Sequence, residues 1–396
     1  MVNFPCSVDA ERRQQACTLH LDSVCGDVRN IQNVMRAMHM LVYDSTFLSD
    51  LDVKNDHIIP FANGVLDIQS GVLRPGVPDD LVHRGPTYEW IDYNAQDAYV
   101  TRMEYILTTT FADFAVRQFV LDVFASLLRK RNRYKHFYIL TGNTNGGKSF
   151  LLQILNSALG NLFCTIPVTA ITARESDPSG HSEYLARTTG VSLCVCNEPD
   201  TSTQKLLPDK LKLFTSDSDR IPVRELYGQT REMPITWKLM MACNTPPALA
   251  NCDAATVERT IFITFGSTFA DERNVPVCQK EQFIQRLFPA NKDYKSVDIH
   301  NLGRALMMIL FTNYVRRNMH SQAFFLAVPK RLRLETDQYL YDMRQFKNFC
   351  YSFLRPSAIF NRSTSTSREL DWHVNTQGQS VLKEILIFEQ KYGRRD

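Results

Sequence analysis

Gly142-Asn143-Thr144-Asn145-Gly146-Gly147-Lys148-Ser149 fits the pattern G-x-x-x-x-G-K-[ST], and its flanks decide how it is read. The run before it, Phe137-Tyr138-Ile139-Leu140, is short, apolar and aromatic, as a buried strand would be. The run after it, Phe150-Leu151-Leu152-Gln153-Ile154-Leu155, is rich in helix formers. Strand, glycine loop and helix in that order predict an α/β core with a phosphate-binding loop. In such a loop the glycines let backbone N–H groups turn inward around a phosphate. Lys148 then reaches the β- and γ-phosphates, and the Ser149 hydroxyl ligates Mg²⁺. All eight residues are expected to cradle a nucleoside triphosphate, with ATP and Mg²⁺ as the cofactors. The competing reading is a chance glycine turn ending in Gly-Lys-Ser.

Three more apolar strands follow, two ending in a polar residue and the last preceded by one. Val191-Ser192-Leu193-Cys194-Val195-Cys196 leads into Asn197-Glu198-Pro199-Asp200. A carboxylate at the mouth of a strand beside the loop would hold the Mg²⁺ shell and orient the attacking water. Glu198, the first carboxylate after the run, is the candidate; Asp200 is second, because Pro199 turns the chain away. A carboxylate that merely caps the next helix is the alternative. Trp237 to Cys243 forms the next strand and ends at Asn244, an amide able to sense the γ-phosphate, although Asn-Thr-Pro-Pro also reads as an ordinary turn. Arg259 precedes the alternating run Thr260 to Phe265, where it is either a surface arginine or one offered to a neighbouring subunit's nucleotide.

This order of elements resembles the superfamily three helicases, the hexameric AAA+ ATPases of viruses and plasmids, and most of all their poxvirus-type branch. Lys212 to Tyr227 is similar to that branch's motif between the strand-Glu and strand-Asn elements. Arg224-Glu225-Leu226-Tyr227 fits it well, and the spacing from Lys212 to Arg224 is one residue longer than usual. Where the family has an arginine pair, Glu258-Arg259 stands here. Upstream, Phe61-Ala62-Asn63-Gly64-Val65-Leu66-Asp67 resembles the signature of the domain that precedes such helicases. Independently, Asn63-Gly64 between apolar runs reads as a tight turn joining two strands. The resemblance implies a ring-forming DNA helicase in which Lys148, Glu198, Asn244 and Arg259 are catalytic, with Arg259 acting in trans. It also implies a hairpin over Arg224 to Lys238 that projects into the channel, where Arg224, Tyr227 and Arg231 contact single-stranded DNA. The hairpin could equally be purely structural. Single-stranded and forked DNA and a homo-hexamer are the implied partners. Family members often carry a primase domain before the hairpin domain; the stretch before Ile59 is too short for one, so a separate primase or a split version is expected.

A net charge of only +3 points any nucleic-acid contact to a local patch rather than a global field. No stretch reaches the apolar length of a membrane span, and acidic Asp9 and Glu11 argue against a signal peptide, so an intracellular, membrane-free protein is expected. Scattered cysteines, with Cys194, Cys196 and Cys243 inside strands, read as reduced core residues. Cys17, His20 and Cys25 lack the paired spacing of a zinc site.

The organisation expected is a helix-rich N-terminal domain over residues 1–128, an ATPase domain over 129–290 and a helical region over 291–396. The first has Ile31, Val34, Met35 and Met38 at helical spacing and a helical stretch from about Asp97 to Leu128. Arg129-Lys130-Arg131-Asn132-Arg133 reads as a solvated basic link, with nucleic-acid contact as the alternative. The last has a helix over Leu302 to Met319, a polar linker around Ser363 to Ser367 and a short helix over Val381 to Phe388. A packaging or remodelling ATPase without unwinding activity is the alternative function. A small-molecule kinase is a third, disfavoured by the ordered Glu, Asn and Arg strand ends.

Overall fold

The computed structural model describes residues 28–42, 44, 46–172, 183–196, 205–217, 219–223, 231–245, 249, 253–291, 296–321, 324–356 and 372–374. The chain divides into two units, Met1–Asp50 and Leu51–Asp396. In the first, helix α1 (Val28–Val42) carries Ile31, Val34, Met35 and Met38 at the spacing read from the sequence, and all four are exposed. Cys17, His20 and Cys25, the Ser363 to Ser367 cluster and the Val381 to Phe388 segment lie outside the described residues.

The second unit opens with an antiparallel sheet of β1 (Ile58–Phe61), β2 (Gly64–Asp67) and β3 (Val72–Arg74). The tight turn falls one residue earlier than the sequence suggested. Phe61 pairs with Gly64, leaving Ala62 and Asn63 as the two turn residues. Asn63 explains the shift, because its side chain is committed elsewhere: it donates to the Trp90 carbonyl at 3.0 Å and accepts from the Trp90 N–H at 2.9 Å.

The helical stretch before the glycine loop is two helices, α2 (Ala98–Thr110) and α3 (Phe114–Ser126). Asp97 and Asp113 cause the division. Each carboxylate accepts the first free N–H groups of its helix, Tyr99 and Val100 for the one, Ala115 and Val116 for the other. Such a cap contributes about 1 kcal/mol and fixes where a helix starts.

Five parallel strands follow: β4 (Phe137–Gly142), β5 (Phe163–Ile166), β6 (Leu193–Cys196), β9 (Lys238–Ala242) and β10 (Thr260–Phe265), in the order β10-β4-β9-β6-β5. Strand periodicity divides their side chains between two buried faces. Tyr138, Leu140, Leu193, Val195, Met240, Ile261 and Ile263 enter one cluster, while Phe137, Ile139, Cys194, Cys196, Leu239, Met241 and Phe262 enter the other. The protein is thus α/β and helix-rich, built on a parallel sheet.

Against the first face packs α4 (Lys148–Leu159), and against α4 packs α7 (Ser296–Arg316), which begins six residues before the helix read from the sequence. Leu302, Leu306 and Leu310 of α7 are fully enclosed. Burying a leucine contributes roughly 1.5–3 kcal/mol. Gly303 allows the close approach, since a Cβ there would lie 2.7 Å from Ser157 Oγ. Helix α8 (Lys330–Phe353) lies along the edge strand β10, where Thr336 Oγ1 accepts from the Phe262 N–H at 3.2 Å and Thr264 Oγ1 donates to Glu335 at 2.7 Å.

Arg129 to Arg133 is a solvated link only in part: Arg131 and Arg133 are exposed, whereas Lys130 and Asn132 are not. Lys130 and Asn132 are 3% and 1% exposed. Lys130 Nζ donates to the Asp52 carbonyl at 3.1 Å, and Asn132 Nδ2 donates to the Thr215 carbonyl at 3.1 Å. Arg129 and Arg131 pair with Asp56 and Asp217, each at 2.9 Å. The alternate residues Lys130 and Asn132 thus reach partners far off in sequence, and Arg129 and Arg131 are ion-paired. Among the described residues no helix is long and apolar enough to cross a membrane.

Candidate functional site

Strand β4 delivers the glycine loop to the carboxyl end of the sheet. Gly142 sits at φ +145°, and a Cβ there would come within 2.5 Å of the Phe265 carbonyl oxygen on β10. Gly147, at φ +86°, caps α4, and a Cβ there would lie 3.2 Å from the Phe269 ring. Asn145 is also left-handed at φ +63°, a conformation that asparagine tolerates. Its carbonyl accepts the Phe269 N–H at 3.0 Å, which ties the loop to β11 (Thr268–Ala270), the partner of β12 (Leu287–Pro289). Lys148 is buried, and its Nζ donates to the Gly142 carbonyl at 2.6 Å and to the Asn143 carbonyl at 3.0 Å. The ammonium is thereby held within the loop's own curve.

Two clefts flank the loop. One, of about 400 Å³, is lined by Lys148, Ser149, Thr165, Val195, Cys243 and Asn244. Ser149 and Asn244 are exposed to it from opposite walls, α4 and the end of β9. The Asn244 carbonyl accepts from Thr141 Oγ1 at 3.4 Å. Lys148, Ser149 and Asn244 are therefore brought together. Strand β6 ends at Cys196 opposite Met241 of β9, so the chain leaves the sheet at this same end; Glu198 itself lies outside the described residues.

The second cleft, of about 790 Å³, lies on the far side of the loop between Asn145, Gly147, Tyr105, Thr109, Phe269 and Asn291. Sequence reasoning missed it. Its walls come from α2, the loop, β11 and the chain after β12, and no local pattern announces that they meet.

Arg259, the last residue of α6 (Ala254–Arg259), lines neither cleft. Its Nη1 donates to the Lys212 carbonyl at 2.9 Å and to Thr215 Oγ1 at 3.0 Å, at the end of α5 (Pro208–Phe214). Lys212 pairs with Asp253, which also caps α6 by accepting the Thr256 N–H at 2.8 Å. The Lys212 ammonium, with these Thr256 bonds, holds the Asp253 carboxyl well below the usual carboxylate range. The segment expected to form a hairpin contains antiparallel strands β7 (Arg220–Val223) and β8 (Arg231–Pro234), with Val223 opposite Arg231. Arg224 and Tyr227 lie outside the described residues. Burial pushes the Cys196 thiol up to about 12 and Cys194 well above its ordinary value, so both are neutral sheet residues. Among the described residues, no group of three or more histidine, cysteine or acidic side chains is placed to hold a metal.

Residues 22–124 match the family described as D5 N terminal like. The chain is 27% identical over 314 residues to "Putative helicase L207/L206" of Acanthamoeba polyphaga mimivirus, a match covering 79% of this chain and 32% of that protein. To "Putative helicase 121R" of Invertebrate iridescent virus 3 it is 26% identical, covering 69% of this chain and 29% of that protein. The chain thus spans about a third of the length of these relatives. A solved structure of the NrS-1 C terminal region aligns over 67% of this chain and 59% of its own at 14% identity, with a TM-score of 0.40, too loose to speak for fold or function. The chain therefore carries a D5 N terminal like domain and is related to the "Putative helicase" proteins of large DNA viruses, a relationship consistent with a D5-type superfamily three helicase.

Proposed function

We propose that this chain is the ATP-hydrolysing motor of a DNA helicase of viral genome replication, with an AAA+ core over residues 129–290. The observation that carries the reading is the loop at the end of β4, where Gly142, Asn145 and Gly147 are left-handed, the Gly142 and Asn143 carbonyls hold the Lys148 ammonium, and Ser149 and Asn244 line one cleft. The residues fit a triphosphate with Mg²⁺. Backbone N–H groups of a glycine loop at a helix start favour phosphate, the cleft offers a hydroxyl at Ser149, and a space large enough for a nucleoside lies on the loop's other side. When bound, Mg²⁺ would draw charge from the phosphate oxygens.

Each side chain then has a task. Lys148 exchanges its two loop carbonyls for phosphate oxygens, stronger acceptors because they are charged. Ser149 holds the cation, Glu198 orients the water and Asn244 senses the γ-phosphate. The cleft between Tyr105 and Phe269 seats the base and ribose. Arg259, anchored by Lys212 and Thr215, acts on the neighbouring subunit of a hexameric ring, and Arg231 of β8, with Arg224 and Tyr227 before it in sequence, grips single-stranded DNA. The relatives' names support the helicase reading over a packaging ATPase. The test is ATP hydrolysis: Lys148→Ala should lose both binding and turnover, whereas Glu198→Gln should bind ATP and fail to turn it over. Near wild-type hydrolysis by both variants would remove the nucleotide site from this cleft.

A further inference from the structure

The cleft assigned to base and ribose differs in charge from the loop beside it. Lys148 marks the phosphate end. Among the described residues, the only charged side chains that line the cleft of about 790 Å³ are Asp271 and Glu272. Carboxylates repel a phosphate, so this part takes the uncharged portion of a nucleotide. Tyr105, Phe150 and Phe269 supply flat apolar surface, and the Phe269 ring packs on Phe288 at 6.0 Å. The Thr109 hydroxyl is turned to its own helix, donating to the Tyr105 carbonyl at 2.9 Å.

Of the two acids, Glu272 is the one left to a ligand. Asp271 caps the short 3₁₀ turn Glu272–Asn274, its carboxylate accepting the Arg273 N–H at 3.3 Å. That cap fixes the backbone from which Glu272 projects. Glu272 is exposed, and among the described residues its carboxylate makes no hydrogen bond or ion pair. Its place along the chain sets its reach. The Asn145 carbonyl of the loop accepts the Phe269 N–H, and Glu272 follows three residues later, at most about 10 Å of extended chain. That is the scale of the step from a loop-bound phosphate to the sugar of the same nucleotide.

Resting on the ATP reading, we infer that Glu272 reads the ribose: its two carboxylate oxygens accept from the vicinal 2′- and 3′-hydroxyls, which makes the site one for ribonucleoside triphosphates over their deoxy forms. An ionised carboxylate is acceptor-only, with an oxygen for each hydroxyl, and an acidic side chain on a ribose hydroxyl is a recurrent device of nucleotide sites. A site built on such bonds discriminates against the analogue that lacks the hydroxyl, because the carboxylate is then left unpaired. A motor with this preference spares the deoxynucleotides that DNA synthesis consumes.

The experiment uses the full chain and the β,γ-imido analogues of ATP, 2′-deoxyATP, 3′-deoxyATP and ITP, which resist hydrolysis, with binding followed by calorimetry in Mg²⁺. We expect the ATP analogue to bind about tenfold or more tighter than either deoxy form, the worth of a hydrogen bond to a charged group. Glu272→Ala should remove the spread, with all three adenine analogues binding alike and more weakly than ATP does to wild type. The thermal unfolding midpoint without ligand should stay where it is, since the side chain holds nothing else in place. Equal binding of the ATP and 2′-deoxyATP analogues by wild type, or a preference that Glu272→Ala retains, overturns the inference and leaves the ATP reading standing. So does a difference between ATP and ITP that the variant abolishes while both deoxy forms bind as ATP does, which would put the carboxylate on the base amine. Binding by none of the four fails the ATP reading itself, and the inference with it.

Discussion

Replacing Gly142 with alanine isolates the contact that shapes the glycine loop. At φ +145° any L side chain is strained, which costs on the order of 1–3 kcal/mol. The new methyl would also lie 2.5 Å from the Phe265 carbonyl oxygen and 3.0 Å from the Phe265 Cβ, both on a parallel neighbour paired to Gly142 in register. Backbone on that side has little freedom to retreat, so overpacking adds about 1–3 kcal/mol. The sum is about 2–6 kcal/mol. Gly71→Ala is the control. Gly71 has φ +75°, but its methyl would meet only Phe311 Cζ, at 3.8 Å, so left-handed strain of about 1–2 kcal/mol is all it should cost. Urea unfolding of both variants gives the two stabilities, and a fluorescent ATP analogue reads the loop. Gly142→Ala should lose stability beyond the control and bind the analogue poorly, because its carbonyl, an acceptor for Lys148, is displaced. Equal losses in the two variants, or undiminished binding by Gly142→Ala, would refute the claim that the close pass of β10 dictates a glycine here.

Burial pulls the Lys238 ammonium down to about 7, against 10.5 for an ordinary lysine. Between those values the unfolded chain holds a proton that the native chain releases, so this group's contribution to stability rises with pH across the window, by about 1.4 kcal/mol per unit. Denaturation of wild type and Lys238→Met from pH 6 to 9 should show the difference moving in wild type's favour, and parallel curves would contradict it. Arg259→Ala should bind ATP but hydrolyse it slowly, and mixing it with Lys148→Ala subunits should restore activity where the subunits co-assemble. Failure of rescue in subunits shown to co-assemble by light scattering would confine Arg259 to its own chain. Tyr227→Ala and Arg231→Ala should lower single-stranded DNA affinity with basal hydrolysis intact, by about 1–3 kcal/mol for a lost stacking contact; unchanged affinity with a weakened fold would make the hairpin structural.

The sheet was legible where short apolar runs stand between turn residues. Phe137 to Leu140, Val191 to Cys196, Trp237 to Cys243 and Thr260 to Phe265 read as strands, and β4, β6, β9 and β10 fall on them, whereas β5 over Phe163–Ile166 went unread. Helix starts were less legible because the decisive groups are single carboxylates: Asp113 divides a stretch that is apolar on both sides of it. The Arg129 to Arg133 run misled in part, because local charge suggests water, whereas Asp52 and Thr215 come from elsewhere in the chain to bind the buried Lys130 and Asn132, and Asp56 and Asp217 pair with Arg129 and Arg131. At the site, the loop and Asn244 could be found from pattern, since each ends a strand. The cleft between Tyr105 and Phe269 and the pairing of Lys212 with Asp253 depend on segments that meet only in three dimensions.

The central claim is that hydrolysis at the Lys148 loop drives strand separation. Its most direct measurement is displacement of a labelled strand from forked duplex DNA by the purified chain, with ATP and Mg²⁺, beside Lys148→Ala. The account predicts displacement that requires ATP and is lost in the variant. Hydrolysis that DNA does not couple to displacement on any fork, or displacement that Lys148→Ala retains, would contradict it.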